Sequence, residues 1–280
     1  MKEREIARRI ADGWNKLTEA YQAHCRISTS EVHYGPLTYG ERRLRLLGRV
    51  RGKRVLEIGC GGGQNAIALA RQGAKAFGVD PSRKQIEYAR RLADECGVKA
   101  TFEVAPAEDL SFFRDDYFDL ALSSHAFGYV GDLDRAYREA GRVIKPGGIF
   151  VLCIGNPFYL ILSYRLSGVK DEGIAEGYLS WPSVEKWTWA YDGGPSVEMW
   201  GFARTLSQMI NPLMEHGFIV ERIVEQGVLD VPRMSEKEKA KIPYLCNWSE
   251  EEFALAREIP YSFILKLRKS TANSNKPRSK

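Results

Sequence analysis

The sequence predicts an α/β fold in which a doubly wound, mostly parallel sheet of seven strands carries helices on both faces. From Lys53 onward, short apolar runs alternate with helical segments, the order that right-handed crossovers between parallel strands produce. Those runs are continuously apolar rather than alternating, as strands buried on both faces are. A glycine-rich turn directly after the first run places a ligand site at the carboxyl end of the sheet.

The elements follow in order. Ile6, Ile10, Trp14, Leu17 and Tyr21 recur every three or four residues, so the N-terminal segment reads as an amphipathic helix within a helical lid spanning residues 1–50. The sheet domain, 51–268, begins with Val55 to Ile58 and the helix Gly63 to Gln72. Ala76 to Val79 and the helix Ser82 to Cys96 come next, then Ala100 to Val104, Phe118 to Leu122, the helix Leu133 to Ile144, and Ile149 to Ile154. The rhythm then breaks. An insertion over about 157–204, rich in tyrosine and tryptophan, is expected to form an ordered cap after strand five. A helix from Thr205 to His216 and closing strands Phe218 to Val224 and Tyr261 to Leu267 complete the set, with Glu225 to Glu258 a polar stretch assigned to no element.

A chain of 280 residues with 44% hydrophobic and 28% charged residues can bury a sizeable core, which excludes disorder, collagen and coiled coil. The formal charge of +5 is matched by five basic residues between Arg268 and Lys280, so the rest of the chain is balanced. A balanced body argues against a nucleic-acid partner, and 269–280 is expected to be a disordered basic tail. Five scattered cysteines with no CxxC pair suggest neither a disulfide framework nor a metal site, and fit a reducing cytoplasm. The charged N-terminus lacks a signal-peptide core, and the apolar stretch Ile149 to Tyr164, broken at Gly155-Asn156-Pro157, is too short to span a membrane.

The segment Val55-Leu56-Glu57-Ile58-Gly59-Cys60-Gly61-Gly62-Gly63 runs a buried strand into a turn with four glycines in five positions. Glycines there let the backbone turn sharply and approach a ligand. Beyond the following helix, Val79-Asp80-Pro81-Ser82 sets an acid at the end of the second strand, where it can accept from both hydroxyls of a ribose. Together they specify an adenosine-containing cofactor, either a dinucleotide or S-adenosylmethionine. The dinucleotide pattern GxGxxG fails at Gln64 when read from Gly59, and GxGxxA read from Gly61 starts two residues late.

These residues resemble a class I S-adenosylmethionine-dependent methyltransferase with a Rossmann-like sheet. VLEIGCGGG is similar to that family's first motif and GVDPS to its second; PAEDL, FDLALSSHAF and DLDRAYREAGRVIKPGG match later motifs in order. The likeness is dense from Gly52 to Ile154, looser over VHYGP and RTLSQMINPLMEHGFIVERIVE, and nearest to the ubiquinone and menaquinone branch. It implies S-adenosyl-L-methionine as cofactor. Gly59, Cys60, Gly61 and Gly63 would approach its methionine part, Glu57 would orient the ammonium, and Asp80 and Pro81 would border the ribose, with Ser82 and Gln85 adding contacts. Ala107 and Glu108 would border the adenine, and Ser123, Ser124 and His125 would line the floor of the site. Pro106 stands where many relatives have Asp, and Asn156 where close relatives often have His. Asn156-Pro157-Phe158-Tyr159 reads as a strand exit with a helix-starting proline.

Methyl transfer chiefly requires alignment, plus a base where the acceptor keeps its proton. Of four histidines, His125 after the fourth strand and His33 in the lid are the candidate catalytic groups, whereas His216 reads as a helix C-cap. Tyr21 and Tyr34 are expected to contact the cofactor carboxylate. Tyr178, Trp181, Trp187, Trp189 and Trp200 are expected to line the acceptor pocket, with Glu176, Glu185 and Glu198 on a solvated face. The expected function is methyl transfer to a small-molecule nitrogen or oxygen ahead of carbon. RNA or protein methylation, a non-catalytic cofactor-binding module and a nucleotide-dependent dehydrogenase remain alternatives.

Overall fold

A computed structural model describes residues 3–167, 177–191, 193–239, 242–245 and 248–271. The core is a seven-stranded sheet of order β3-β2-β1-β4-β5-β9-β8, built from β1 Arg54–Ile58, β2 Lys75–Asp80, β3 Ala100–Val104, β4 Phe118–Ser124, β5 Ile144–Gly155, β8 Phe218–Glu225 and β9 Ser262–Lys269. The first five pair in parallel, and β9 runs antiparallel between β5 and β8. Alternate strand residues serve opposite faces. Leu56, Ile58, Phe118 and Phe150 pack on one side with α5 Leu133–Val143 and α7 Leu206–Glu215. Val55, Leu120, Leu122 and Val151 pack on the other with α3 Gln64–Arg71 and α4 Arg83–Glu95. The reversal of order between β1 and β4 leaves a crevice at their carboxyl ends, the place for a ligand in such a sheet.

Three additions cover that crevice. Helix α1 (Glu3–Cys25) buries Ile6, Ile10 and Leu17 and lies against α4 and the strand β7 (Val197–Ala203). After the short helix α2 (Glu41–Leu44) and the sheet strands, α6 (Pro157–Ser167) leaves β5 through Asn156, whose Oδ1 accepts from Phe158 N at 2.9 Å while its amide donates to Pro260 O at 2.7 Å. Proline thus opens the helix, as the strand-exit reading expects. An antiparallel hairpin follows, β6 (Ser183–Trp189) with β7 (Val197–Ala203).

The third addition lies in the polar stretch after β8, which folds. Val231, Ile242, Trp248 and Phe253 pack with Leu37, and Leu255 and Ala256 pack with Tyr159, around α8 (Glu236–Lys239) and α9 (Glu250–Glu258). This excursion escaped the sequence reading because its apolar residues are spaced along turns rather than at one helical or strand period. Lys269 closes β9, donating to Asp116 Oδ1 and Ile144 O, so ordered chain extends into the segment read as tail; residues 272–280 lie outside the described ones. His216 caps α7 and meets Asp134 at 2.7 Å. No helix among the described residues is long and apolar enough to cross a membrane.

Candidate active site

At the end of β1 the chain turns through Gly59, Gly61 and Gly63, at φ of +72°, +50° and +77°. Two of these glycines also have no room for a side chain. A Cβ on Gly59 would lie 2.1 Å from Ala126 Cβ, and one on Gly63 within 2.8 Å of Phe102 and Ala89. Gly61 differs: its Cβ direction meets only Gln85 Oε1, at 3.8 Å, so this stretch of backbone faces space. The turn is tied to β2 by Gly59 N and Cys60 N, which both donate to Val79 O.

Asp80 closes the loop from the other side. Its Oδ2 accepts from Gly61 N and its Oδ1 from Ser82 N, both at 2.9 Å. Each oxygen keeps a second lone pair, enough for a pair of vicinal hydroxyls. Burial raises this carboxyl to about 6, against the pull of those two amides. Glu57 is more deeply set: its Oε2 accepts from Ala66 N in the first turn of α3, and burial lifts it to about 8. A buried, partly protonated acid beside an open backbone cradle is suited to a ligand cation.

Other residues singled out from the sequence fall into distinct roles. Cys60 is buried beneath Gly78. Ser82 caps α4 and donates to Asn15 Oδ1 of α1, and Gln85 accepts from Gln22 Nε2 at 2.8 Å. Pro81 is exposed beside them, and Ala107 is buried. Glu108 accepts from Gly131 N at 3.2 Å, and burial raises it. Tyr34 is buried away from the crevice, its hydroxyl donating to Glu41 Oε2 at 2.5 Å. Ser123 is buried with no hydrogen-bond partner for its Oγ among the described residues, and Ser124 is half-buried.

His125, at φ +56°, stands where β4 ends; its Nε2 lies 2.8 Å from Ser262 Oγ and its ring stacks on Tyr261 at 5.4 Å. Desolvation lowers it to about 4, so it is neutral at working pH. Ser262 is also hydrogen-bonded to the Cys153 thiol, which donates to Tyr34 O. The ring is thus anchored through Nε2, on a serine that can either give or take the shared proton. His33 is likewise held neutral, at about 4, with Nε2 at 3.0 Å from Tyr244 Oη.

The cap aromatics do not form one cage. Tyr178 and Trp181 pack with α6 and Ala203, whereas Trp187 and Trp189 pack with Trp14, Leu17 and Tyr129 of the lid side. Trp200 lies on the outer face, under the Arg9 guanidinium and donating to Glu198. Pairing explains the split, since Trp187 and Trp189 share the inner face with their partners Met199 and Val197, and Trp200 opposes Lys186. The same alternation corrects one expectation: Glu185 is buried on that inner face, not solvated, and raises Tyr129. Glu176 lies outside the described residues. Tyr21 sits among Trp14, Trp189, Tyr191 and Tyr244. Sequence reasoning missed Gln22, Asn65, Tyr244 and Ser262, which carry no motif.

Residues 56–152 match the family described as "Methyltransferase domain". Over these residues the chain carries a methyltransferase domain. This domain is 38% identical over 124 residues to a ubiquinone biosynthesis O-methyltransferase of Azorhizobium caulinodans, covering 44% of this chain and 46% of that one. Against its Bordetella avium counterpart the identity is 34% over 103 residues, covering 37% and 43%. The matched segment thus spans a little under half the length of these relatives. Two solved structures share the methyltransferase fold: an S-adenosylmethionine-dependent methyltransferase from Mesorhizobium loti, 24% identical, TM-score 0.54, covering 80% of this chain and 94% of that one, and the [4+2]-cyclase SpnF, 21% identical, TM-score 0.59, covering 95% and 97%.

S-adenosylmethionine is the cofactor of this domain type, and the residues present fit it. The open Cβ direction at Gly61 gives room for its backbone-lying portion, Asp80 retains two acceptor positions for a ribose, and Glu57 is a buried acid awaiting a cation.

Proposed function

We propose that the protein is an S-adenosylmethionine-dependent methyltransferase acting on the hydroxyl oxygen of a small molecule. One observation carries this reading. His125, held neutral by burial and anchored through Nε2 to Ser262 Oγ, stands at the end of β4 across the crevice from the glycine turn. A hydroxyl keeps its proton near neutral pH and needs such a base. The named O-methyltransferase relatives support oxygen over nitrogen. Their partial coverage makes a phenol or catechol the acceptor class to test rather than one compound.

The chain's residues divide the work. Asp80 and Glu57 would hold the cofactor, which when bound would supply an electrophilic methyl group on sulfur. The His125 imidazole would take the proton of the acceptor hydroxyl. Lid and cap exclude water, which strengthens these polar contacts. The balanced charge of the body supports a small acceptor over RNA.

Calorimetric titration with S-adenosylhomocysteine and, separately, NADH tests the cofactor, and radiolabelled methyl transfer to catechol and phenol probes tests the acceptor. Expected results are saturable binding of S-adenosylhomocysteine alone, weakened about ten-fold or more by Asp80→Ala. His125→Gln should keep that affinity and lose about a hundred-fold in turnover. NADH binding, or turnover of an RNA or protein acceptor in preference to these probes, would overturn the reading; tight binding without turnover of any acceptor would mark a non-catalytic module.

A further inference from the structure

The crevice holds two neutral imidazoles, and their surroundings differ in kind. His33 is clamped by its backbone: its N–H donates to Asn65 Oδ1 at 2.8 Å and Asn65 Nδ2 returns to His33 O at 3.2 Å. Asn65 also hydrogen-bonds the Glu57 carboxyl, so His33 belongs to the methionine end of the site. Its ring Nε2 meets Tyr244 Oη at 3.0 Å. Its Nδ1 is buried and makes no hydrogen bond of normal geometry among the described residues, although the Asn65 side chain lies close enough to favour the protonated ring. The ring is near enough to His125 to add to the lowering that burial imposes there.

Tyr244 comes from the excursion between β8 and β9. It is held at φ +65°, with its N–H donating to Cys25 O at the end of α1. On its far side its hydroxyl is hydrogen-bonded to Tyr21. A phenol is a much stronger donor than a neutral imidazole N–H, and a bare imidazole nitrogen a stronger acceptor than a phenol oxygen. The single hydroxyl proton of Tyr244 therefore goes to His33 Nε2, leaving Tyr21 to donate to Tyr244. The ring proton of His33 must then sit on Nδ1, the atom that makes no hydrogen bond of normal geometry. A buried N–H left so has given up its water contacts without recompense, which a ligand oxygen would supply.

We propose that Tyr244 is a positioning residue that fixes His33 as the Nδ1–H tautomer, making His33 a hydrogen-bond donor to a ligand oxygen and leaving His125 as the sole imidazole base. The inference rests on the methyltransferase reading of this site. The oxygen is anionic or becomes so: the carboxylate of the cofactor's methionine part, or the acceptor oxygen as it loses its proton. The two histidines thus take opposite parts, one giving a hydrogen bond and one taking a proton, because the partner of His33 is a phenol whereas His125 is anchored on a serine that can accept as well as donate.

The test uses the full chain. Heteronuclear NMR of the imidazole nitrogens of the ligand-free protein should show His33 protonated on Nδ1 in the wild type and on Nε2 in Tyr244→Phe, a variant that keeps the ring's packing. A wild-type His33 protonated on Nε2 overturns the proposal whether or not any acceptor is turned over. Titration with S-adenosylhomocysteine then separates the oxygens. Affinity weakened about ten-fold in Tyr244→Phe and in His33→Ala identifies the cofactor carboxylate. Unchanged affinity with the KM for a catechol probe raised at least five-fold, and kcat little altered, identifies the acceptor oxygen. Neither change in either variant overturns the proposal, even with the expected tautomer. No turnover at all, with the tautomer and S-adenosylhomocysteine effects intact, refutes the enzyme reading and leaves the positioning role standing.

Discussion

Glu57 shows how a single buried acid ties stability to ligand state. Its folded value of about 8 lies above the ordinary carboxyl value, so the stability contributed by its neutral form is complete below about pH 4.5 and is lost as pH rises through 8. His33 and His125 work in the opposite sense, since their folded values of about 4 lie below the ordinary 6.5 and cost stability as pH falls between those limits. Asp80, at about 6, is nearly fully ionised by neutrality. Between about pH 6.5 and 8, Glu57 therefore sets the slope: the melting temperature of the ligand-free protein should fall across this window, and Glu57→Gln should flatten the fall. A scanning-calorimetry series in which wild type and variant keep the same slope would refute this. Bound S-adenosylhomocysteine, bringing an ammonium to Glu57, should remove the fall in the wild type. The acid itself was legible in the sequence, because its place before the glycine turn is a pattern. Its protonation was not, since that depends on how completely α3 and the lid shut out water.

At the scale of elements, the lid helix α1 is held down by polar contacts as well as by its apolar stripe. Gln22 reaches over Gly62, donates to Gln85 Oε1 and accepts from Gln64 Nε2 at 2.5 Å, linking the starts of α3 and α4. Asn15 adds a second tie, accepting from Ser82 Oγ and Lys84 N. Replacing Gln22 by Ala spares Ile6, Ile10 and Leu17 but removes both side-chain bonds, worth about 1 kcal/mol each. The helix should remain folded while the dissociation rate of S-adenosylhomocysteine, read by stopped flow, rises about ten-fold; an unchanged rate would show that α1 closes through packing alone. The stripe was visible as spacing, whereas Gln22 is an unremarkable polar residue until its partners are brought from distant helices. The excursion carrying Tyr244 was hidden for the same reason: its apolar residues make sense only against Leu37 and Tyr159.

Across the whole molecule, lid and cap form one cover. Trp14 of α1 makes edge contacts with Tyr21, Tyr129 and Trp189 at centroid distances of 5.1, 5.5 and 5.6 Å, so the helix and the hairpin β6–β7 share an aromatic cluster that the sheet does not enter. Trp14→Ala should let amides of α1 and the hairpin exchange with solvent together while β1, β4 and β5 stay protected. Hydrogen-exchange mass spectrometry that finds the two elements opening separately would break the coupling. The sheet could be read in advance because its strands repeat one local pattern in order. The grouping of the cap aromatics could not, because strand alternation in a hairpin of unknown register decides which tryptophans turn inward.

The glutamine bridge over Gly62 also has a kinetic meaning. Since α1 lies across the mouth of the cofactor cradle, spent cofactor leaves only when a helix of more than six turns lets go at one end. On the proposed methyltransferase reading, loading would precede the acceptor and unloading would follow the methylated product, an ordered sequence with the opening of that helix as one of its steps.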